Sequence, residues 1–235
     1  MIRVSVCMPV YNGLPYLQEQ VKSILQQLEP SDELVVSDDG STDESIAWLQ
    51  SLGDARVRVL QESPCRHPSY NLEKALQAAR GKYILLADQD DVWLSGKVNL
   101  MVAALESHAL VVHDCMVTDE KLQVQEPSFF AMHGSGPGLV KNFIRNSYLG
   151  CCMGFRREVL DKALPFPKPL GMHDIWLGLV AALWFKTTFI SEKLVLYRRH
   201  GKNASTTSDK SKLSLWQQLQ LRLTLARQLA GTIFR

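Results

Sequence analysis

The sequence has no apolar run near the roughly 20 residues needed to cross a bilayer; the longest, Ile175–Phe185, falls far short. No basic segment, apolar stretch and cleavage site opens the chain, so no secretory leader is expected. The cysteines Cys7, Cys65, Cys115, Cys151 and Cys152 are odd in number and show no Cys-x-x-Cys spacing. A reduced, cytoplasmic setting therefore fits better than a disulfide framework or a zinc site. Neither Gly-x-Gly-x-x-Gly after the first strand-like run nor a P-loop motif occurs. Phosphates are thus not held as in dehydrogenases or P-loop enzymes, and a metal ion must do more of that work. The charge is close to balanced, 26 Lys and Arg against 24 Asp and Glu. Nothing in the bulk electrostatics suggests a nucleic-acid partner. There is no internal repeat.

What remains is an ordinary globular composition, 46% hydrophobic and 21% charged over 235 residues. That length suits one large domain, or one domain with a small appendage. The balance hides an asymmetry, because residues 186–235 hold 10 Lys and Arg against 2 Asp and Glu. A basic tail on an acidic body hints at an anionic partner near the C-terminus.

Residues 1–120 alternate strand and helix signals. Arg3–Val10, Glu33–Ser37, Val57–Leu60 and Tyr83–Ala87 are short apolar runs of strand character. Between them lie helical spacings through Leu17–Leu28, through Ile46–Leu52 after a Ser41/Glu44 capping box, and over Asn71–Arg80. Alternating β/α units imply a parallel sheet with helices on both faces and ligands beyond the carboxyl ends of its strands. Tyr11-Asn12, Asp38-Asp39 and Asp88-Gln89-Asp90-Asp91 occupy those ends and should converge on one crevice. Further on, Leu110–Val117, Gly150–Phe155 and Phe189–Tyr197 read as strands, His173–Phe185 as a helix and Ser128–Gly138 as a loop. Lys202–Lys212 is polar and reads as a mobile connection. A last helix, about Leu213 to Ile233, would gather Leu215, Trp216, Leu219, Leu223, Ala226, Leu229, Ala230 and Ile233 on one broad face.

Crowded carboxylates raise one another's pKa unless a cation compensates. Asp88, Asp90 and Asp91 thus suggest Mg²⁺ or Mn²⁺ held by one or two carboxylates together with substrate phosphates. A solvated turn is the plainer alternative. Asp38-Asp39 before Gly40 suits a base or ribose contact, or ordinary turn chemistry.

Val4–Gly13 (VSVCMPVYNG), Val35–Asp43 (VVSDDGSTD) and Ala87–Trp93 (ADQDDVW) together resemble the N-terminal signatures of family 2 glycosyltransferases, which have the GT-A fold. Ser147–Phe155, Met172–Trp176 and Tyr197–Asn203 extend the likeness toward a rhamnosyltransferase-like branch acting on bacterial surface polysaccharide. The resemblance implies an α/β fold with a Rossmann-like, mostly parallel central sheet over residues 1–205. Residues 1–120 would be its nucleotide-sugar half, 121–205 its acceptor half, and 206–235 an amphipathic helical tail.

The resemblance also implies roles. Pro9, Tyr11 and Asp39 would line the base, with Asp38 nearby. Asp88 would face the ribose or sugar, and Asn12, Asn71 and Gln89 join this donor-binding set. Asp90 would ligate the metal, with His200 completing the metal or diphosphate site. Asp174, preceded by His173, falls at the catalytic-base position, against the plainer reading of a helix cap. Asp91, His173, Asp114 (as an acceptor-site residue or a structural turn) and Arg198 are secondary candidates. The reaction implied is an inverting transfer from dTDP-rhamnose or a UDP-hexose to a glycan or lipid-linked acceptor. The absence of Gln-x-x-Arg-Trp points to one sugar per encounter. The loop Ser63–Tyr70 departs from the family by lacking glycine. The tail would dock on the body, dimerise, or lie on the inner face of the cytoplasmic membrane. A sugar-phosphate nucleotidyltransferase and a non-catalytic nucleotide-sugar-binding module are the alternatives.

Overall fold

The computed structural model describes residues 2–201 and 214–234. The whole Lys202–Lys212 connection, and with it residues 202 and 203 of the last motif, lies outside the described residues. The first half runs β1 (Val4–Val10), α1 (Leu14–Leu25), β2 (Glu33–Asp38), α2 (Ser45–Ser51), β3 (Val57–Gln61), α3 (Pro68–Ala78) and β4 (Tyr83–Leu86). Next come β5 (Val92–Trp93), α4 (Lys97–Leu105), β6 (Leu110–Thr118), β7 (Val124–Glu126), α5 (Phe129–His133) and α6 (Leu139–Ile144). The chain continues through β8 (Met153–Arg156), α7 (Glu158–Ala163), α8 (His173–Trp184), β9 (Thr187–Arg198) and α9 (Leu215–Gly231).

The strands form one nine-stranded sheet in the order β3-β2-β1-β4-β8-β6-β9-β5, with β7 beside β6. Its first four members are parallel, as the alternating pattern predicts. The rest is mixed, because β8 enters antiparallel to both β4 and β6, and β5 runs antiparallel to β9. Almost every residue of β1, β2 and β4 is buried, which requires cover on both faces. Leu17, Val21 and Ile24 of α1 and Leu72, Ala75 and Leu76 of α3 supply part of it.

Three local expectations are corrected. The Ser41/Glu44 capping box does not form: α2 starts at Ser45, and the Ser41 hydroxyl instead accepts the Asn12 N–H. The Ser128–Gly138 segment contains α5, capped by the Ser128 hydroxyl on the Ala131 N–H. Helix α9 docks through Leu225, Thr232 and Leu229, the last a member of the expected broad face, while Trp216, Leu219, Leu223 and Ile233 of that face stay exposed.

Candidate active site

The carboxyl ends of β1, β2 and β4 open on a cleft of about 1290 Å³. Backbone-to-side-chain bonds lock the three loops to one another. Asn12, at φ +48°, accepts the Thr42 N–H, and Gly13 donates to the Ser45 hydroxyl. Gln89 pairs with both backbone groups of Tyr11, at 2.8 and 3.1 Å. A Cβ at Gly13 would sit 2.6 Å from the Gln89 Oε1, so this approach needs glycine. Asn71 donates to the Val10 and Ser37 carbonyls and accepts the Ser37 hydroxyl, tying α3 to the ends of β1 and β2.

Of the residues singled out from sequence, Pro9, Tyr11, Asn12, Asp39, Asn71, Asp88, Gln89, Asp90, His173 and His200 line this cleft. Asp38 does not; its carboxylate accepts the Gly40 and Ser41 N–H groups and shapes the turn. Asp91 is fully buried, with Oδ1 accepting the Arg198 N–H. Asp114 is also off the wall, because it accepts the Ser128 hydroxyl and the Phe130 N–H and so anchors α5. The bonds to Asp114 fit the structural-turn reading and not an acceptor contact. Trp93 is buried, consistent with packing beneath the acidic turn.

The acidic turn is the electrostatic centre. Burial, reinforced by the charges of Asp90 and Asp174, pushes the Asp88 carboxyl up to about 7. Burial raises Asp91 still more firmly, with Asp90 and Asp88 adding to it. Beneath them lies Lys97, itself fully buried, its Nζ donating to the Cys151 carbonyl at 2.7 Å and standing 4.1 Å from the Trp93 ring centre. On the open side, His200 Nε2 lies 2.8 Å from Asp90 Oδ2.

Tyr16 is one residue of this cluster that sequence reading missed. Its ring stacks on His200 with centroids 4.7 Å apart, the Arg198 guanidinium lies 4.7 Å from its centre, and its hydroxyl donates to Glu120 at 2.6 Å. Arg198 also donates to the Asp90 and Glu120 carbonyls and to the Glu19 carboxylate, so it braces the turn and does not line the cleft.

The far wall comes from the loop before α3 and from the start of α8. Asp39 Oδ1 accepts the Cys65 and Arg66 N–H groups at 2.6 and 3.1 Å. Arg66 takes a left-handed φ of +52°, a conformation glycine would adopt more readily. Gly40, at φ +84°, leaves room for Pro64, which a Cβ there would approach to 2.7 Å. Burial lowers His173 to about 4, so its imidazole is neutral at physiological pH. Asp174 lies just behind this wall, 7% exposed, with burial raising its carboxyl to about 6 despite the Ile175 N–H on Oδ1.

Residues 5–164 match the model of the family described as glycosyl transferase family 2. The chain belongs to this family. A GalNAc(5)-diNAcBac-PP-undecaprenol beta-1,3-glucosyltransferase of Campylobacter jejuni is 27% identical, over 84% of this chain and 65% of that protein. The fold matches Staphylococcus aureus TarS 1–349 in complex with UDP-GlcNAc, with a TM-score of 0.73, 18% identity and coverage of 95% of this chain and 66% of that one. It also matches the mannosyltransferase PcManGT of Pyrobaculum calidifontis in complex with GDP-Man and Mn²⁺, with a TM-score of 0.66, 20% identity and coverage of 86% and 58%. The family 2 chain thus spans about two thirds or less of these proteins, and its fold is that of the GT-A glycosyltransferases.

Two outcomes follow from this geometry. Tyr16→Leu removes the ring that stacks on His200 and should release the imidazole from its place beside Asp90, whereas Tyr16→Phe keeps the ring and should leave it there, as crystal structures of the two variants would show. A carboxyl whose folded pKa is raised costs stability once it ionises, so the penalty from Asp174 is absent near pH 4 and complete above pH 6. Asp174→Asn should therefore raise stability at pH 8 by about 1–3 kcal/mol and leave it unchanged near pH 4, as urea titrations at both values would show.

Proposed function

We propose that this family 2 chain transfers one sugar from a nucleoside-diphosphate donor to a hydroxyl of a glycan or lipid-linked saccharide in bacterial surface-glycan synthesis. The observation that carries this reading is the convergence of Tyr11, Asp39 and the pair Asp88 and Asp90, from the ends of β1, β2 and β4, on one cleft. The family match and the undecaprenol-linked substrate named for the Campylobacter relative support it. A UDP-hexose is the favoured donor, since that relative is a glucosyltransferase and TarS was solved with UDP-GlcNAc. The rhamnosyltransferase-like motifs make dTDP-rhamnose the comparison donor, because thymine and uracil present the same pairing edge.

The residues present fit a hard divalent cation. The Asp88 carboxylate has no hydrogen-bond partner among the described residues, and the pair Asp90–His200 adds a second carboxylate and an imidazole. Carboxylate and imidazole donors suit Mn²⁺, or Mg²⁺ with substrate phosphates. Ligand atoms of Asp88, Asp91 and Cys151 also lie within 4.8 Å of one another. That set fits less well, because burial raises the Asp91 carboxyl, and the Cys152 hydrogen bond together with burial raises the Cys151 thiol, both against the anionic form that ligates a metal. A cation held by Asp90 and His200, beside Asp88, would supply neutralisation of the charge on the departing diphosphate.

Within the cleft, Asp39 and the Tyr11 loop hold the base, while Asp88 faces the ribose or sugar. Asp174, in the first turn of α8, takes the acceptor proton. The acceptor oxygen then bonds to the anomeric carbon as the carbon–diphosphate bond breaks, with inversion. His173, neutral beside it, forms wall and not base. The tail lies on the inner face of the cytoplasmic membrane, where lipid-linked acceptors reside. No helix among the described residues is long and apolar enough to cross a membrane.

A thermal-shift panel of UDP, dTDP, GDP, CMP and NAD⁺, each with Mn²⁺ or EDTA, tests the reading. UDP or dTDP at 100 times its dissociation constant should add about 2.7 kcal/mol of stability, dependent on Mn²⁺ and lost in Asp90→Ala. A folded protein that ignores both pyrimidine diphosphates would contradict it.

A further inference from the structure

Helix α9 begins with a capping box between Ser214 and Gln217, so its start is built as a helix end. It is pinned at three points: Arg222 donates to the Ile144 carbonyl, Gln228 to the Pro169 carbonyl, and the Trp184 indole to the Thr232 hydroxyl. The seam it buries is narrow, Leu225 and Leu229. At 100° per residue, Trp216, Leu219, Leu223, Ala226 and Ala230 form a stripe on another side. This stripe faces outward, with Trp216 66%, Leu219 48% and Leu223 50% exposed. Arg222 and Arg227 fall at its two borders.

Helix α6 continues this surface. Its C-terminal carbonyl holds Arg222, within one turn of Leu219 and Leu223. Val140 and Ile144, four residues apart on one helix side, are 70% and 67% exposed. Lys141 and Arg145 stand beside them, also exposed. Neither residues 139–145 nor residues 214–235 contain a single Asp or Glu. An apolar face bordered only by cations is complementary to an anionic lipid surface, where apolar groups insert and arginines meet headgroups. A second copy of this chain would instead place cations against cations.

We infer that α6 and the outward stripe of α9 form one docking surface for an anionic membrane leaflet. This deepens the proposed membrane contact of the tail, by adding α6 and by naming the side of α9 that inserts; it does not depend on the donor chemistry. The same pins that fix α9 to α6 and α8 make the surface rigid, so it would set the orientation of the cleft over the membrane as well as its proximity.

The test uses the full chain, sedimented with vesicles of phosphatidylcholine alone or mixed with phosphatidylglycerol. Wild type should partition only onto the mixed vesicles, and less so at high salt. Leu223→Glu on α9 and Ile144→Glu on α6 should each weaken partition on the order of 10-fold. Gln217→Glu, exposed on the polar side of α9, should weaken it less than either. Melting temperatures confirm that all three variants fold. Wild type indifferent to phosphatidylglycerol overturns the proposal, and so does Ile144→Glu partitioning like wild type. A dimer that both substitutions dissociate, without vesicle binding, also overturns it in favour of a second copy. UDP binding with Mn²⁺, measured on the same proteins, should be unchanged throughout. Its absence from wild type itself would count against the donor site and leave the vesicle result standing.

Discussion

The structure is organised around the desolvation of carboxylates at the end of β4. Ligand atoms of Asp88 and Asp91 lie within 4.8 Å of each other. Two full charges that close repel by about 3 kcal/mol even at an effective dielectric near 20. That exceeds what one pH unit offsets, so the turn does not carry all its charges without cations around it. Each neighbour answers this constraint. Lys97 is buried beneath the turn, Arg198 caps Asp91 with its N–H and the Asp90 carbonyl with its guanidinium, and His200 meets Asp90. Under the proposed function, a divalent cation and a diphosphate would complete the balance on the side facing the cleft. A buried acidic turn is costly as a piece of scaffold, and useful as a site that is stabilised by its ligand.

The same turn explains why the rest of the fold is so tightly cross-connected nearby. Gln20 of α1 donates to the Asp88 carbonyl, and Gln89 grips Tyr11. Ser23 of α1 accepts the Trp93 N–H. These bonds run from the acidic turn into the first loop and first helix, so a shift in one strand end is felt in all three. Under the proposed function, positioning of the base, the sugar and the leaving group would therefore be one property of the cleft and not three.

Much of this was legible in the sequence, and the reason is physical. Continuous apolar runs announced the parallel strands, and their ends announced the crevice, because ligand residues in such folds gather there. Three of the acidic candidates, Asp38, Asp91 and Asp114, satisfy backbone N–H groups away from the cleft, whereas Asp39 does so on its wall; a carboxylate's type does not reveal whether it faces a cleft or a turn. Helix α4 escaped notice because its lysine, Lys97, reads as a surface residue and is in fact buried. Tyr16 and Glu120 escaped because their meeting is set by tertiary packing across more than a hundred residues. The face of α9 was read correctly as apolar, but periodicity does not say whether such a face packs on the body.

The most direct test is an anomalous difference map at the manganese edge, from crystals grown with UDP and Mn²⁺. The ion is expected beside Asp90 and His200, with the diphosphate reaching it from the Tyr11 side of the cleft. Manganese lodged between Asp91 and Cys151, or a nucleotide bound away from Asp39 and Asp88, would contradict it.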